Sequence, residues 1–258
     1  MMALTRAQIV LQTDSEKRLN SSIGSLMQGV LMQHIDPDYG EILHRSELKP
    51  YSQYVSFGES KILWTVQTLT EEAEKQIITP LLTGEFSSVY LEHKDLELPI
   101  LSRTVTHLTE ETLMQRTFFA ECPRRIHVRF ATPCSFKSQG NYQIFPTIRL
   151  IFQSLVNKYD AMSVRNTIFY PELLENLEQH TVITEYSLQS KRFGIEGISI
   201  PSYQGNITLR MSGPQQMVNL MHMLLHFGTY SGVGIKTAMG MGGFQIEERK
   251  RMNENRIV

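Results

Sequence analysis

Apolar positions recur along this chain in two rhythms, and the two alternate in an order that occurs twice. Ala3 to Thr13, centred on the β-rich run Gln8-Ile9-Val10-Leu11, predicts a strand. Leu19, Ile23, Leu26, Met27, Val30, Leu31 and Ile35 fall at helical spacing and predict an amphipathic helix from about Glu16 to Ile35. Asp36-Pro37-Asp38-Tyr39-Gly40 then breaks the chain before a short helix through Glu41 to His44. A strand over Lys61 to Val66 follows, and Thr70 is placed to cap a second long helix reaching about Thr83, with Glu71, Glu72 and Glu74 near its positive end. Strands around Val89 to Leu91 and over Leu98 to His107 complete the first half.

The second half repeats this order. It reads as a strand at Ile126 to Phe130, a helix from about Pro146 to Tyr159, a strand at Val182 to Leu188, a strand pair across Phe193 to Met211, a helix from Pro214 to Phe227 and a last strand at Phe244 to Ile246. Two passes of strand, helix, strand, strand, helix, strand predict an α+β chain of two tandem ferredoxin-like (RRM-like) domains. Each would be an antiparallel sheet with its helices on one face. The expected division is 1–122 and 123–258, with the cleft between the halves as a natural place for an extended ligand.

At 258 residues and 41% hydrophobic content the chain can bury two cores. No apolar run approaches the roughly 18 residues of a membrane span, and the opening MMALTRAQIV lacks a signal-peptide pattern, so a cytoplasmic protein is expected. Cys122 and Cys134 stand apart, which leaves no disulfide framework and no metal knuckle. A net charge of -1, from 25 Lys and Arg against 26 Asp and Glu, excludes a protein that coats nucleic acid indiscriminately. It permits a local basic groove.

Gly232-Val233-Gly234-Ile235-Lys236-Thr237-Ala238-Met239-Gly240-Met241-Gly242-Gly243 places five glycines in twelve residues between a predicted helix and a predicted strand. Amides freed from side-chain bulk can bond phosphate oxygens, and Lys236 can add charge, so a polyanion is the natural ligand. The spacing fits neither GxGxxG nor the P-loop. A tight turn or glycine hinge without a ligand is the plainer alternative.

The pattern GxGxxxxxGxG near the end of a doubled ferredoxin-like chain resembles the CRISPR-associated repeat-processing endoribonucleases, the Cas6 family of the RAMP superfamily. Three further stretches are similar to that family: Leu43-His44 with Lys49-Pro50-Tyr51-Ser52, Phe130 to Lys137, and Phe145-Pro146 before Leu150 to Leu155. The resemblance implies cleavage of CRISPR precursor RNA within the repeat by 2′-hydroxyl attack. No metal or cofactor would be required, and the products would carry 2′,3′-cyclic phosphate and 5′-hydroxyl ends. The implied partners are the precursor repeat and the guide RNA product. A multi-subunit effector complex and a homodimer stay open as assemblies, and no membrane partner is implied. A non-catalytic RAMP-type guide-RNA-binding subunit is the alternative function, and a nucleotide-binding or metabolic ferredoxin-like protein a third.

Such a cut needs a base for the 2′-proton, an acid for the departing 5′-oxygen and a cation for the charge growing on phosphorus. The resemblance assigns His44 to proton transfer and Lys49 to charge stabilisation. Met32 stands where some family members carry a tyrosine, and methionine cannot move protons. His34 can substitute, as can Tyr39, although His34 also fits as a packed residue on the apolar stripe of its helix. The expected catalytic set is therefore His44, Lys49 and His34. The expected RNA contacts are Gly232, Gly234, Lys236, Gly240 and Gly242, together with Lys191 and Arg192, beside which Phe193 and Tyr203 could stack on bases. His222 and His226 lie four apart, but without a following glutamate or a third ligand a metal site is not expected.

Overall fold

A computed structural model describes residues 2–13, 19–164, 166–195 and 197–247. Along the first half run β1 (Met2–Gln12), α1 (Ile23–His34), α2 (Pro37–Arg45), β2 (Tyr51–Phe57) and β3 (Lys61–Thr70). They are followed by α3 (Glu71–Ala73), a π-helical turn (Glu74–Ile78), α4 (Thr79–Leu82), β4 (Ser88–Leu91), β5 (Leu96–Thr109) and α5 (Glu110–Arg116). The second half holds β6 (Arg125–Cys134), the hairpin β7 (Phe136–Ser138) and β8 (Asn141–Gln143), α6 (Ile148–Met162) and α7 (Leu173–Gln179). It ends with β9 (Thr181–Ile195), β10 (Ile198–Met211), α8 (Gln215–Ser231) and β11 (Phe244–Glu247).

The first sheet has the order β2-β3-β1-β5-β4 and the second β11-β6-β10-β9, with every adjacent pair antiparallel. Both are ferredoxin-like arrangements, in which the first and third strands of the repeat lie side by side at the centre. The α+β doubled fold read from the sequence is the one observed.

Each sheet is amphipathic because its central strands alternate. Leu4, Ala7, Ile9 and Leu11 of β1 are fully buried, and Ile23, Met27, Val30 and Leu31 of α1 pack with the latter three in one core. In the second half Ile126, Val128 and Phe130 of β6 meet Ile151, Phe152 and Leu155 of α6 and Leu224, Leu225 and Phe227 of α8. Arg6, Gln8, Arg129 and Gln245, at alternate positions, line the clefts described below.

Several elements differ from the sequence reading. The predicted helix start at Glu16 lies outside the described residues, and α1 is observed from Ile23. The break at Asp36 is brief: its carboxylate accepts from Asp38 N and Tyr39 N, Pro37 occupies the first turn, and α2 already contains Tyr39. Strand β2 was not anticipated, because Tyr51 to Val55 is buried at every position and shows no alternation. The segments expected as separate strands over Val182 to Leu188 and from Phe193 belong to one long strand, β9.

Polar side chains lock the halves together. Arg6 donates to Thr229 O (2.8 Å) and Oγ1 (3.1 Å) and lies 4.4 Å from the centre of the Tyr230 ring. Ser52 Oγ donates to Tyr230 O (2.6 Å), and Gln245 Nε2 donates to Tyr54 OH (3.0 Å). Among the described residues no helix is long and apolar enough to cross a membrane.

Candidate functional site

The last turn of α2 places the first candidate. Tyr39 and Leu43 share one face of the helix and bury it in the first core, which turns His44 outward, where it is exposed. The chain then folds back through Glu47 and Leu48. The Lys49 ammonium donates to the carbonyls of Leu43, His44 and Ser46 at the negative end of the helix. His44 and Lys49 are thus joined through one helix end. Burial first, and then the charge of Lys236, draws the Lys49 ammonium below the ordinary lysine value.

Lys236 owes this position to the glycine-rich loop. Gly232, Gly234, Gly240 and Gly242 all have positive φ, and so does Lys236 itself at 55°. A Cβ on Gly234 would lie 2.4 Å from Ser135 O, one on Gly242 2.0 Å from Val233 O, and one on Gly240 2.8 Å from Gly24 Cα at the start of α1. The glycines are required for this close packing. Their amides differ from the sequence expectation: Gly232 N donates to Gly228 O (3.0 Å), Gly234 N to Ser154 Oγ (2.9 Å) and Gly242 N to Pro133 O (2.9 Å). Those three are committed inside the protein. The loop instead raises Lys236 on an exposed crest, just before the short 3-10 turn Thr237–Met239.

Two buried residues that sequence reasoning passed over hold this loop. Gln53 of β2 donates from Nε2 to Gly24 O (2.6 Å) and Ala238 O (3.1 Å), while its Oε1 accepts from Trp64 Nε1 (2.9 Å). Lys158 of α6 donates to Ser231 O (3.0 Å), Gly232 O (3.1 Å) and Thr237 Oγ1 (3.1 Å). It is almost fully buried, and desolvation pulls its ammonium down to about 7, partly opposed by Cys134. Ile151, Phe152, Leu155, Lys158, Tyr159 and Met162 form one helical stripe. A lysine in such a stripe was the available signal.

The remaining candidates lie elsewhere. His34 ends α1, about ten residues or roughly 15 Å along the helix from the Gly24 contact with the loop. Its Nδ1 lies 2.8 Å from Val30 O, and its ring meets Phe86 edge-on at 4.8 Å. Tyr39 is buried, and burial first, then Glu72 and Tyr51, pushes its phenol up to about 12. Met32 packs beside the first core. Phe193 and Tyr203, considered for base stacking, are instead core residues: Tyr203 meets Phe130 edge-on at 4.8 Å, and Phe193 clusters with Met241 of the loop. His222 Nε2 lies 2.7 Å from Pro123 O, and burial lowers His226 to about 4. Among the described residues no three His, Cys, Asp or Glu side chains are grouped to hold a metal.

Lys191 and Arg192 are exposed and line a cleft of about 740 Å³ between the halves, together with Arg129, Gln204, Gln245 and Ser22. A second hollow of about 380 Å³, which shares Gln245, adds Arg6, Gln8 and His226. Among the described residues these linings include four cations and no Asp or Glu. Ser22 Oγ accepts from Gly194 N (3.0 Å), which ties the β9 end of the cleft to the start of α1.

Residues 128–244 match the model of a protein family described as CRISPR-associated endoribonuclease Cas6. The chain is 36% identical over 225 residues to a CRISPR-associated endoribonuclease Cas6 from Streptococcus thermophilus, which covers 86% of this chain and 90% of that one. It is 32% identical over 250 residues to the protein of that name from Mycobacterium tuberculosis, covering 95% and 78%. Among solved structures, a Cas6 product complex superimposes with a TM-score of 0.78 at 20% identity, over 95% of this chain and all of that one. Thermus thermophilus Cas6 gives 0.73 at 21% identity, over 96% and 99%. These two likenesses concern the fold.

Proposed function

Since the chain belongs to the CRISPR-associated endoribonuclease Cas6 family and is an endoribonuclease, we propose that it cuts a CRISPR precursor transcript once within each repeat, using the RNA's own 2′-hydroxyl as nucleophile. The observation that carries this reading is the convergence of the end of α2 and the glycine loop: the Lys49 ammonium is bonded to the carbonyl of His44, whose side chain is exposed, and Leu48 and Ile235, the residues before Lys49 and Lys236, line one hollow. Two like charges held near each other at the junction of the halves form a receptor for an anion, and a phosphate between them would relieve their repulsion.

In the proposed reaction the 2′-oxygen loses its proton to the neutral His44 imidazole and attacks the neighbouring phosphorus. The bond from phosphorus to the 5′-oxygen breaks, and the imidazolium hands its proton to that departing oxygen. The products are a 2′,3′-cyclic phosphate and a 5′-hydroxyl. Lys49 and Lys236 stabilise the charge that grows on the non-bridging oxygens. The glycine loop sets the backbone of Lys236, and the Lys49 ammonium exchanges one of its bonds to the helix-end carbonyls for a bond to the phosphate. With methionine at position 32 and the Tyr39 phenol kept protonated by burial, one imidazole serves both transfers in turn. Rate then depends chiefly on how well the RNA is aligned.

Alignment falls to the basic cleft. Lys191, Arg192, Arg129 and Arg6 hold the backbone of the repeat, which runs from this cleft to the His44 imidazole in the proposed complex. We assign the chain no metal requirement, because the imidazole and the two ammonium groups supply the proton transfers and the charge that the step needs.

The test uses a radiolabelled repeat with one 2′-deoxy substitution on the 5′ side of the cut, in buffer containing chelator. The unmodified repeat is expected to be cut to products whose new 5′ ends accept phosphate directly from polynucleotide kinase. The 2′-deoxy repeat should bind and remain whole. Cleavage of the deoxy repeat, or dependence on added divalent metal, overturns the mechanism. Binding without cleavage of either RNA would favour a guide-holding subunit.

A further inference from the structure

A third hollow, of about 430 Å³, opens between the glycine loop, α6 and the β7–β8 hairpin. Its size lies within the range of small-molecule sites. Two of its walls are apolar and half-buried: Leu48, from the first half, and Ile235, from the loop. Each wall immediately precedes one of the two lysines assigned to the scissile phosphate, Lys49 and Lys236. Consecutive Cα atoms are about 3.8 Å apart, so the hollow adjoins the backbone that carries both lysines, and the phosphate they are assigned would stand within a nucleotide's reach of it.

The rest of the lining is polar in a particular way. Gln153 and Asn157, four residues apart on the exposed face of α6, both line the hollow, and neither side chain is hydrogen-bonded to another described residue. Each amide offers a donor and an acceptor side by side. Lys137 stands exposed on the lining, which among the described residues contains no Asp or Glu. Apolar walls facing a pair of unpartnered amides, beside a phosphate site, describe a receptor for a planar heterocycle attached to a phosphodiester.

We propose that this hollow takes up the unpaired base of a nucleotide next to the scissile phosphate, and that Gln153 and Asn157 read it as adenine. Leu48 and Ile235 cover the base, while an amide donates to adenine N7 and accepts from N6, the pairing that amide side chains make with that base. Extrusion of the base would also turn its ribose, which is how a pocket beside the cut can help bring a 2′-oxygen into line. The inference rests on the functional reading above, since it takes the phosphate between Lys49 and Lys236 as its reference point.

The experiment compares repeat RNAs carrying each of the four bases at the two nucleotides flanking the cut, in single-turnover cleavage by the wild-type chain and by Gln153→Ala/Asn157→Ala. Both positions are exposed on a helix, and alanine favours helix, so an unchanged melting temperature is expected. The wild-type chain should prefer adenine at one of the two positions by about tenfold or more. The double variant should lose that preference while cutting the other three RNAs at nearly wild-type rates. Leu48→Ala should slow the adenine RNA most. If the wild-type chain cuts no repeat, the functional reading and this inference fall together. If it cuts with no base preference, or keeps its preference in the double variant, the inference alone is overturned.

Discussion

Replacing Lys158 with methionine should remove a pH dependence of stability from the folded chain. The ammonium sits almost wholly buried, with Ser231 O, Gly232 O and Thr237 Oγ1 as its partners, and desolvation lowers it from 10.5 to about 7. In the unfolded chain it regains its ordinary value near 10.4. Between these two values the unfolded state binds the extra proton, so stability rises with pH. One proton contributes at most about 1.36 kcal/mol per pH unit. With the group half-titrated at pH 7, the gain from pH 7 to pH 9 is about 2 kcal/mol. The climb stops near 9: burial pushes the Cys134 thiol up to about 12, so above its ordinary value the unfolded chain loses a proton that the folded chain keeps, which offsets the Lys158 contribution. Methionine has similar length and no charge, and it leaves the three loop acceptors without a donor, at about 1 to 3 kcal/mol each. That loss is nearly independent of pH and sets only the offset between the two curves. Urea unfolding of both proteins followed by circular dichroism, at half-unit steps from pH 6 to pH 9, is the assay. The wild-type curve should climb relative to the Lys158→Met curve by about 2 kcal/mol between pH 7 and pH 9. Parallel curves would refute the reasoning, because they would mean that the buried amine does not change its proton occupancy on folding.

Three further outcomes follow from the same geometry. Lys236→Ala should weaken binding to repeat RNA and reduce the slope of log affinity against log salt by about 1, as measured by filter binding, with no change in melting temperature. Gly242→Ala places an L-residue at φ 63° with its Cβ 2.0 Å from Val233 O, and should destabilise the fold by about 3 kcal/mol or more in urea unfolding. Burial first, then His222, lowers His226 to about 4, so the unfolded chain takes up a proton that the folded chain refuses. The melting temperature should therefore fall between pH 6.5 and pH 4, and His226→Gln should lessen that fall.

Much of the architecture could be read from periodicity, because the central strands and long helices each bury one face. The alternation of Ala7, Ile9 and Leu11 and the stripe of α1 needed no tertiary information. Strand β2 was hidden because both of its faces are covered: Ser52 and Gln53 are polar in sequence, yet they are buried as ties to Tyr230 and Ala238. The glycine loop was legible as an unusual backbone, but not in its purpose. Glycine spacing cannot distinguish amides that face a ligand from amides spent on Ser154 and Pro133. Lys158 escaped notice for a related reason: its role is fulfilled by carbonyls of the loop, which leave no mark in the sequence. Phe193 and Tyr203 looked like stacking residues beside a basic pair, yet both are buried in apolar clusters while Lys191 and Arg192 stay exposed.

The central claim is that the imidazole on the last turn of α2 moves the proton at the cut, and single-turnover cleavage of a labelled repeat by His44→Ala tests it most directly. Because His44 is exposed and lends only its backbone carbonyl to Lys49, the variant should fold and bind the repeat within about twofold of wild type, while the rate falls by about 10² to 10⁴. A rate within about threefold of wild type, at unchanged affinity, would contradict the account and move the chemistry elsewhere on the chain.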